Sequence, residues 1–123
     1  MTDVSFDTNI LIDCLNGVEA GRLELRRARR RWISRISWIE IMAGCDDRTA
    51  AIVADFLAQF SIDEVTEDVG RLAAAMRRER GALRLPDAIV LASAQARGRI
   101  LVTRNTRDFP ANMPGIRVPY ELS

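Results

Sequence analysis

The sequence contains no histidine and no lysine. Without histidine there is no Ser-His-Asp or Cys-His nucleophile pair, no imidazole acid or base, and no usual zinc site. Without lysine there is no Walker A loop, no Schiff-base lysine and no kinase lysine. A catalyst built from this sequence must therefore use carboxylates, hydroxyls and arginines, and carboxylates recruit hard cations through their oxygens.

Long apolar runs and cysteines are also scarce. No apolar run approaches the roughly 20 residues that span a bilayer, and the N-terminus lacks the basic-then-apolar order of a secretory signal. We therefore expect a cytoplasmic protein with no membrane partner. Cys14 and Cys45 have no C-x-x-C spacing, so we expect reduced, partly buried small hydrophobic residues. The length of 123 residues, of which 48% are apolar, predicts a single domain over residues 1–123.

The charges are balanced overall but unevenly distributed. All eighteen basic residues are arginine, and seventeen acids leave a formal charge of +1, so net charge does not indicate a nucleic-acid binder. The arginines concentrate at residues 22–31 and 77–84. Each stretch is either a solvated helix face or a set of phosphate contacts, and the sequence favours neither.

Apolar periodicity and turn residues predict alternating strands and helices. The predicted strands cover residues 4–6, 32–36, 62–65, 100–102 and 116–118, and the predicted helices cover 8–15, 22–31, 50–60 and 67–80, with others beginning at Ser37 and Pro86. This alternation favours a parallel sheet covered by helices on both faces. In such sheets ligands bind beyond the carboxyl ends of the strands.

Three acids have positions suited to that edge of the sheet. Asp7 follows the first strand, and Glu40 and Asp87 lie in the first turns of predicted helices. Each has an ordinary explanation, because Ser37-x-x-Glu40 is a capping box, Pro86-Asp87 is a favourable helix start, and Asp7 can cap the first helix. Acids gathered at one edge repel one another unless a cation lies between them. Capping does not require the acids to converge, whereas metal binding does.

A fourth candidate ligand lies in the segment after the strand at residues 100–102. Asp108 or Asn105 could reach the same edge of the sheet. Alternatively, both side chains stabilise their own loop through local hydrogen bonds, and Phe109 anchors it in the core. Asp13, Asp46 and Asp47 have no such strand-end position and are interpreted as solvated helix acids.

Two hydroxyls lie beside these acids in the sequence. Thr8 directly follows Asp7, and Thr103 directly follows the strand at residues 100–102. Either hydroxyl could position water or phosphate, although a hydroxyl near a helix start more often caps the helix.

Four segments together, VSFDTNILID at residues 4–13, SWIEIMAG at 37–44, LPDAIVLASA at 85–94 and VTRNTRDF at 102–109, resemble the PIN domain family in the same order. The small size resembles its VapC-type members, the toxins of bacterial toxin-antitoxin pairs. The resemblance implies an α/β fold, a three-layer α/β/α sandwich whose central, mostly parallel sheet has about four to five strands. Carried over residue by residue, it places the catalytic and metal-binding acids at Asp7, Glu40, Asp87 and Asp108, with Mg²⁺ or Mn²⁺ as cofactor.

The resemblance also implies an activity and partners. It implies a metal-dependent endoribonuclease that cleaves RNA, with tRNA among the candidate substrates, forms a homodimer and is inhibited by a cognate VapB-type antitoxin. Two other functions remain open: a catalytically silent PIN scaffold that binds RNA or protein, and a structure-specific DNA nuclease. A response-regulator receiver domain is disfavoured by the missing lysine and by the Thr8-Asn9 pair that follows Asp7, where an acidic pair is usual.

Overall fold

A parallel sheet lies at the centre of the fold. The computed structural model describes residues 2–122, and within them the chain forms five strands and six helices. The strands are β1 (Asp3–Phe6), β2 (Arg30–Ser34), β3 (Ser61–Asp63), β4 (Ile100–Val102) and β5 (Ile116–Arg117). The helices are α1 (Thr8–Leu15), α2 (Glu19–Arg27), α3 (Arg35–Ala43), α4 (Ala50–Leu57), α5 (Glu67–Glu79) and α6 (Leu85–Ala96).

The strand order creates a crevice beside the central strand. The order is β3-β2-β1-β4-β5, and every neighbouring pair is parallel. The chain therefore builds outward from β1 in one direction through β2 and β3, then returns to the other side of β1 with β4. Phe6 is the register partner of Val102, so β1 and β4 end side by side. Ligands of open parallel sheets bind at such a point of reversal.

Two apolar cores cover the two faces of the sheet, because side chains alternate between faces along each strand. Val102 packs with Phe6 and residues of α1 to α4, whereas the adjacent Leu101 packs with residues of α5 and α6. Helix α6 contacts β2, β4 and α5, so most of its side chains from Ala88 to Ala94 are buried. The predicted three-layer α/β/α sandwich with a mostly parallel sheet is confirmed.

The start of α3 corrects one predicted element. Strand β2 ends at Ser34, whose side chain caps the helix by accepting a hydrogen bond of 3.2 Å from the backbone N of Ile36. The helix therefore begins at Arg35, and Ser37 is an interior, fully buried residue rather than a cap. The capping box predicted for Ser37 and Glu40 is wrong.

Other element ends differ by a few residues. The helix predicted at 22–31 runs from Glu19 to Arg27, because parallel pairing with β1 extends β2 back to Arg30. Helix α4 ends at Leu57 rather than residue 60, and β3 covers Ser61–Asp63 rather than 62–65. Helix α1 ends at Leu15 as predicted, and glycines with left-handed φ values follow both α1 and α6, namely Gly17 at 81° and Gly98 at 65°.

Two further expectations concern cysteines and membranes. Cys14 is buried and Cys45 is partly buried, and both are free thiols as predicted. From residue 2 to residue 122, the structure has no helix with the length and apolar character needed to cross a membrane.

Candidate active site

Asp7 is the most enclosed carboxylate at the reversal point of the sheet. It caps α1, with Oδ1 accepting from the backbone N of Thr8 at 2.7 Å. Its Oδ2 accepts from the buried hydroxyl of Thr103 at 2.7 Å. Burial raises the pKa of Asp7 to about 6, although the two hydrogen bonds oppose the shift, and the charges of Asp87 and Glu40 add to it. The hydrogen bonds that the protein supplies therefore do not fully stabilise the ionised form of Asp7.

Asp87 approaches the same crevice from α6. It lies in the first turn of that helix after Pro86, as predicted, and its side chain is largely buried. Its Oδ2 accepts a hydrogen bond of 3.0 Å from Nε of Arg84, one turn earlier. Burial raises the pKa of Asp87 despite this arginine, and the neighbouring Asp108 adds to the rise.

Glu40 is the exposed acid of the group and is oriented by α1. It lies in the second turn of α3, and its Oε1 accepts from the Thr8 hydroxyl at 2.9 Å. The same Thr8 oxygen is 2.9 Å from Oγ of Ser37. Thr8 therefore does not cap α1; its hydroxyl connects α1 to α3 and fixes the Glu40 carboxylate.

Asp108 and Asn105 hold each other in the loop that follows β4. Nδ2 of Asn105 donates to Oδ2 of Asp108 at 3.0 Å, and the backbone N of Asp108 donates to Oδ1 of Asn105 at 3.2 Å. Phe109 is fully buried and anchors the loop. The predicted local hydrogen bonds are confirmed, and both side chains also line the crevice.

These elements form one cleft, the acidic cleft, of about 470 Å³. Its lining includes all four predicted acids, Asp7, Glu40, Asp87 and Asp108, together with Thr8 and Asn105. Thr103 is fully buried beneath Asp7 and has no surface to offer a substrate. Its predicted role in positioning substrate is corrected to positioning Asp7.

Asp13 was expected to be a solvated acid, and that interpretation is wrong. It is 4% exposed, and Arg104 donates to both of its oxygens, from Nε at 2.5 Å and from Nη2 at 2.8 Å. The hydroxyl of Tyr120 donates to its Oδ2 at 2.7 Å. Burial raises the pKa of Asp13, but the hydrogen bonds from Arg104 and Tyr120 outweigh it and hold that pKa below its usual range.

The family model for the PIN domain matches residues 4–112, which is most of the chain and includes all four acids of the cleft. The chain belongs to the PIN domain family. The resemblance stated from the four sequence segments is therefore confirmed.

Solved structures extend the match to VapC-type PIN domains. A chain of a toxin-antitoxin complex from Klebsiella pneumoniae is 39% identical with a TM-score of 0.89, covering 97% of this chain and 99% of that chain. A chain of a DNA-bound VapBC from Salmonella typhimurium is 25% identical with a TM-score of 0.80, covering 95% and 96%. FitAcB from Neisseria gonorrhoeae, at 20% identity and a TM-score of 0.78 over 99% and 100%, shares the fold. No curated protein matches the chain.

The donor set of this PIN domain fits a hydrated divalent cation. Within residues 2–122, no three acids come close enough together to form a ready-made cation cage. Mg²⁺ does not need one, since it keeps several waters and binds through one or two carboxylates. Asp7 and Asp87 suit that role, because both are buried with raised pKa values and all their donor atoms are oxygen.

The two arginine stretches of the PIN domain have different positions. No arginine of residues 22–31 lines the acidic cleft. Two of them pair with acids of α2, Arg26 with Glu19 and Arg27 with Glu24. Arg84 of the second stretch does line the cleft, where it contacts Asp87.

Sequence reasoning did not single out four polar residues of the cleft, which are Asn9, Arg84, Arg104 and Arg107. Oδ1 of Asn9 accepts from the backbone N of Arg104 at 3.2 Å, and its Nδ2 lies 3.4 Å from Oγ1 of Thr103. The spacing of Arg84 three residues before Asp87 on a helix was an available signal. Nothing local to Arg104 indicates its partner, Asp13, which is 91 residues away.

Proposed function

We propose that this PIN domain is the toxin of a toxin-antitoxin pair and acts as an Mg²⁺- or Mn²⁺-dependent endoribonuclease. The observation that carries the proposal is the position of Asp7, a buried carboxylate with a raised pKa that faces Asp87 and Glu40 across the acidic cleft. The mutual repulsion of these acids destabilises the metal-free fold. Binding of a divalent cation would offset that repulsion and so account for the convergence of the acids.

The proposed ligands follow from burial and restraint. Asp7 and Asp87 would hold the cation directly, whereas Glu40 and Asp108 would act through water or on a second ion. When bound, the cation lowers the pKa of the attacking water and neutralises charge on the phosphodiester oxygens.

Other groups of the chain orient Asp7 and Glu40 and favour the ionised form of Asp87. Thr103 and the backbone N of Thr8 fix the two oxygens of Asp7, so this ligand is oriented before any cation arrives. Glu40 is exposed and held at Oε1 by Thr8, which suits it to accept a hydrogen bond from the attacking water. The N-terminal turn of α6 presents Asp87 to the cleft and adds a field that favours the ionised carboxylate.

RNA is the proposed substrate because of the likeness to VapC-type toxins, while the chemistry of the cleft would also permit cleavage of DNA. Single-stranded loops of folded RNAs, including tRNA, present splayed bases and accessible phosphates to an open cleft of this kind. The cleft is lined by Arg84, Arg104 and Arg107, which are suited to bind phosphates beside the carboxylates.

The proposed partners are a VapB-type antitoxin and a second copy of the chain. The antitoxin is supported by the 39% identity and almost complete coverage of the chain from the Klebsiella pneumoniae toxin-antitoxin complex. A homodimer is supported by the exposed apolar side chains of Ile39 on α3 and Leu85 on α6, two helices that contact each other.

The test is cleavage of end-labelled RNA by the purified full chain. Total tRNA, total cellular RNA and a DNA oligonucleotide are incubated with Mn²⁺, with Mg²⁺, or with EDTA. We expect RNA fragments with either metal, none with EDTA, and intact DNA. RNA that is bound but never cut would support the silent scaffold, and cleavage of the DNA alone would support the DNA nuclease.

A further inference from the structure

Arg104 is held differently from the other arginines of the acidic cleft. Arg84 is 74% exposed at its side chain and pairs with Asp87, a proposed metal ligand. Arg107 is also exposed. The side chain of Arg104 is only 27% exposed, and the side chain of its partner Asp13 is buried, with 5% of its surface exposed. Arg104 is therefore the lining arginine whose charged group is fixed by a buried carboxylate outside the cleft.

The guanidinium of Arg104 is anchored along one edge. Nε and Nη2 donate to the two oxygens of Asp13, which is a side-on, two-bond geometry. The other edge of the planar group carries the N–H groups of Nη1 and the second N–H of Nη2. Within residues 2–122, Nη1 has no hydrogen-bond partner, and Arg104 lines the acidic cleft. An end-on pair of donors is thus available to an anion.

The main chain of Arg104 is fixed as well. Its backbone N donates to Oδ1 of Asn9 at 3.2 Å, and Nδ2 of Asn9 lies 3.5 Å from Oδ2 of Asp7. One asparagine therefore contacts both the proposed metal ligand and the backbone of the arginine. These contacts link the backbone of Arg104 to the residue that contacts Asp7.

Tyr120 completes the anchor from the C-terminal segment. Its hydroxyl donates to Oδ2 of Asp13 at 2.7 Å, on the same oxygen that Nε of Arg104 contacts. A β-carbon at Gly21 of α2 would lie 3.0 Å from that hydroxyl and 3.2 Å from Sγ of Cys14. Any larger residue at position 21 would therefore push against the tyrosine, so α2 also shapes this anchor.

We propose that Arg104 binds a phosphate of the RNA next to the metal centre, and that Asp13 and Tyr120 are positioning residues that aim its guanidinium. The proposal rests on the ribonuclease function proposed above and adds a substrate contact to it. A preoriented arginine loses less side-chain freedom when it binds phosphate, so the effect should appear mainly in substrate affinity. The C-terminal segment thereby contributes to the cleft without touching it.

The first arm of the test separates Arg104 from general charge. Arg104→Gln is compared with Arg71→Gln, which removes an exposed arginine of α5 that does not line the acidic cleft. We expect Arg104→Gln to raise KM about tenfold with a much smaller change in kcat. It should also reduce the slope of log affinity against log salt by about 0.7, the value for one single-strand phosphate contact. Arg71→Gln should change neither.

The second arm tests whether Tyr120 acts through Arg104. Tyr120→Phe removes only the hydroxyl, and we expect a two- to fivefold rise in KM, on the order of the loss of one hydrogen bond. In the Arg104→Gln background the same substitution should have no further effect, because neighbours in one network are not additive. If Arg104→Gln alone fails to fold, the paired variant Asp13→Asn/Arg104→Gln removes both charges of the ion pair and takes its place.

The outcomes separate this proposal from the ribonuclease function. Equal KM and salt slope for Arg104→Gln and Arg71→Gln, in a wild-type protein that cleaves RNA, would overturn the role of Arg104 and leave the nuclease intact. A fully additive effect of Tyr120→Phe would overturn the positioning role. If the wild type cleaves nothing, the function fails, and binding of a fluorescent single-stranded RNA by the same variants still decides the phosphate contact.

Discussion

Thr103 donates a hydrogen bond of 2.7 Å from its buried hydroxyl to Oδ2 of Asp7, 96 residues earlier in the chain. The two residues meet because Phe6 and Val102 are register partners at the ends of neighbouring parallel strands. The hydroxyl also accepts from the backbone N of Asn105 at 2.9 Å. A single buried oxygen thus connects the proposed metal ligand to the loop that carries Asp108.

Replacement of Thr103 tests this connection. Thr103→Val keeps the shape but removes the hydroxyl, and we expect cleavage to fall by about 10- to 100-fold, as for other groups that orient a metal ligand. The unfolding free energy should fall by about 1–3 kcal/mol, because the N–H of Asn105 loses its acceptor. Thr103→Ser retains the hydroxyl and should keep most of the activity. Equal activity of the valine and serine variants would contradict the role.

Replacement of Asp87 tests the catalytic acids. Asp87→Asn keeps the size of the side chain and its place beside Arg84, and we expect metal-dependent RNA cleavage to fall by at least about 100-fold, or about 3 kcal/mol of transition-state stabilisation. The far-UV spectrum and melting temperature should change little. The matched control is Asp47→Asn, an exposed acid outside the cleft. Retained cleavage in the Asp87 variant would remove it from the ligand set.

The raised pKa of Asp7 predicts how pH affects the metal-free protein. Its pKa is about 6 in the folded state and ordinarily 3.8, so the folded chain binds this proton more tightly than the unfolded chain does. The contribution of Asp7 to stability is therefore most favourable below about pH 4 and is lost as pH rises through about 6. At roughly 1.4 kcal/mol per pKa unit, the loss is about 3 kcal/mol.

Asp7→Asn isolates that contribution. In EDTA, we expect the melting temperature of the variant minus that of wild type to be larger at pH 7 than at pH 4, by about 5 °C or more. Added Mn²⁺ should then stabilise wild type and not the variant. If the difference in melting temperature between the two proteins is the same at pH 4 and pH 7, ionisation of Asp7 does not destabilise the fold.

The pair of Asp63 and Arg99 predicts a stability effect away from the acidic cleft. The two side chains are 3% and 12% exposed and form an ion pair, while the Arg99 guanidinium stacks on the ring of Trp32 at 4.2 Å. Asp63→Ala leaves the arginine unpaired, and we expect a loss of about 3–5 kcal/mol in urea unfolding. Glu64→Ala, the control, breaks the exposed pair with Arg35 and should cost about 1 kcal/mol or less. Similar losses would contradict the buried pair.

The sequence was sufficient to predict the layers of the fold and the positions of Asp7 and Asp87. Both acids lie next to strongly patterned elements, the apolar strand before Asp7 and the buried helix after Pro86, so local pattern located them. The ends of β2 were predicted less well, because pairing with β1 recruits Arg30 and Arg31 into a strand that their side chains do not indicate. That shift moved the start of α3 and produced the mistaken capping box.

Long-range partners account for what the sequence did not reveal. Asp13 has the pattern of a surface helix acid, and only the fold brings Arg104 and Tyr120 to it. The sequence predicts Thr103 as a residue of the cleft, yet the parallel register buries it beneath Asp7. Such contacts depend on how strands align across about a hundred residues, which local propensity does not encode.

Titration of Mn²⁺, followed by electron paramagnetic resonance at pH 7.5, tests most directly whether the acidic cleft is a cation site. At that pH Asp7 is ionised, and we expect the wild-type chain to remove the signal of free Mn²⁺ as the ion binds. The double variant Asp7→Asn/Asp87→Asn should leave the signal of free Mn²⁺ unchanged. The control Asp46→Asn/Asp47→Asn, which alters two exposed acids outside the cleft, should bind Mn²⁺ as wild type does. Wild type that leaves Mn²⁺ free, or equal binding by all three proteins, would contradict the account.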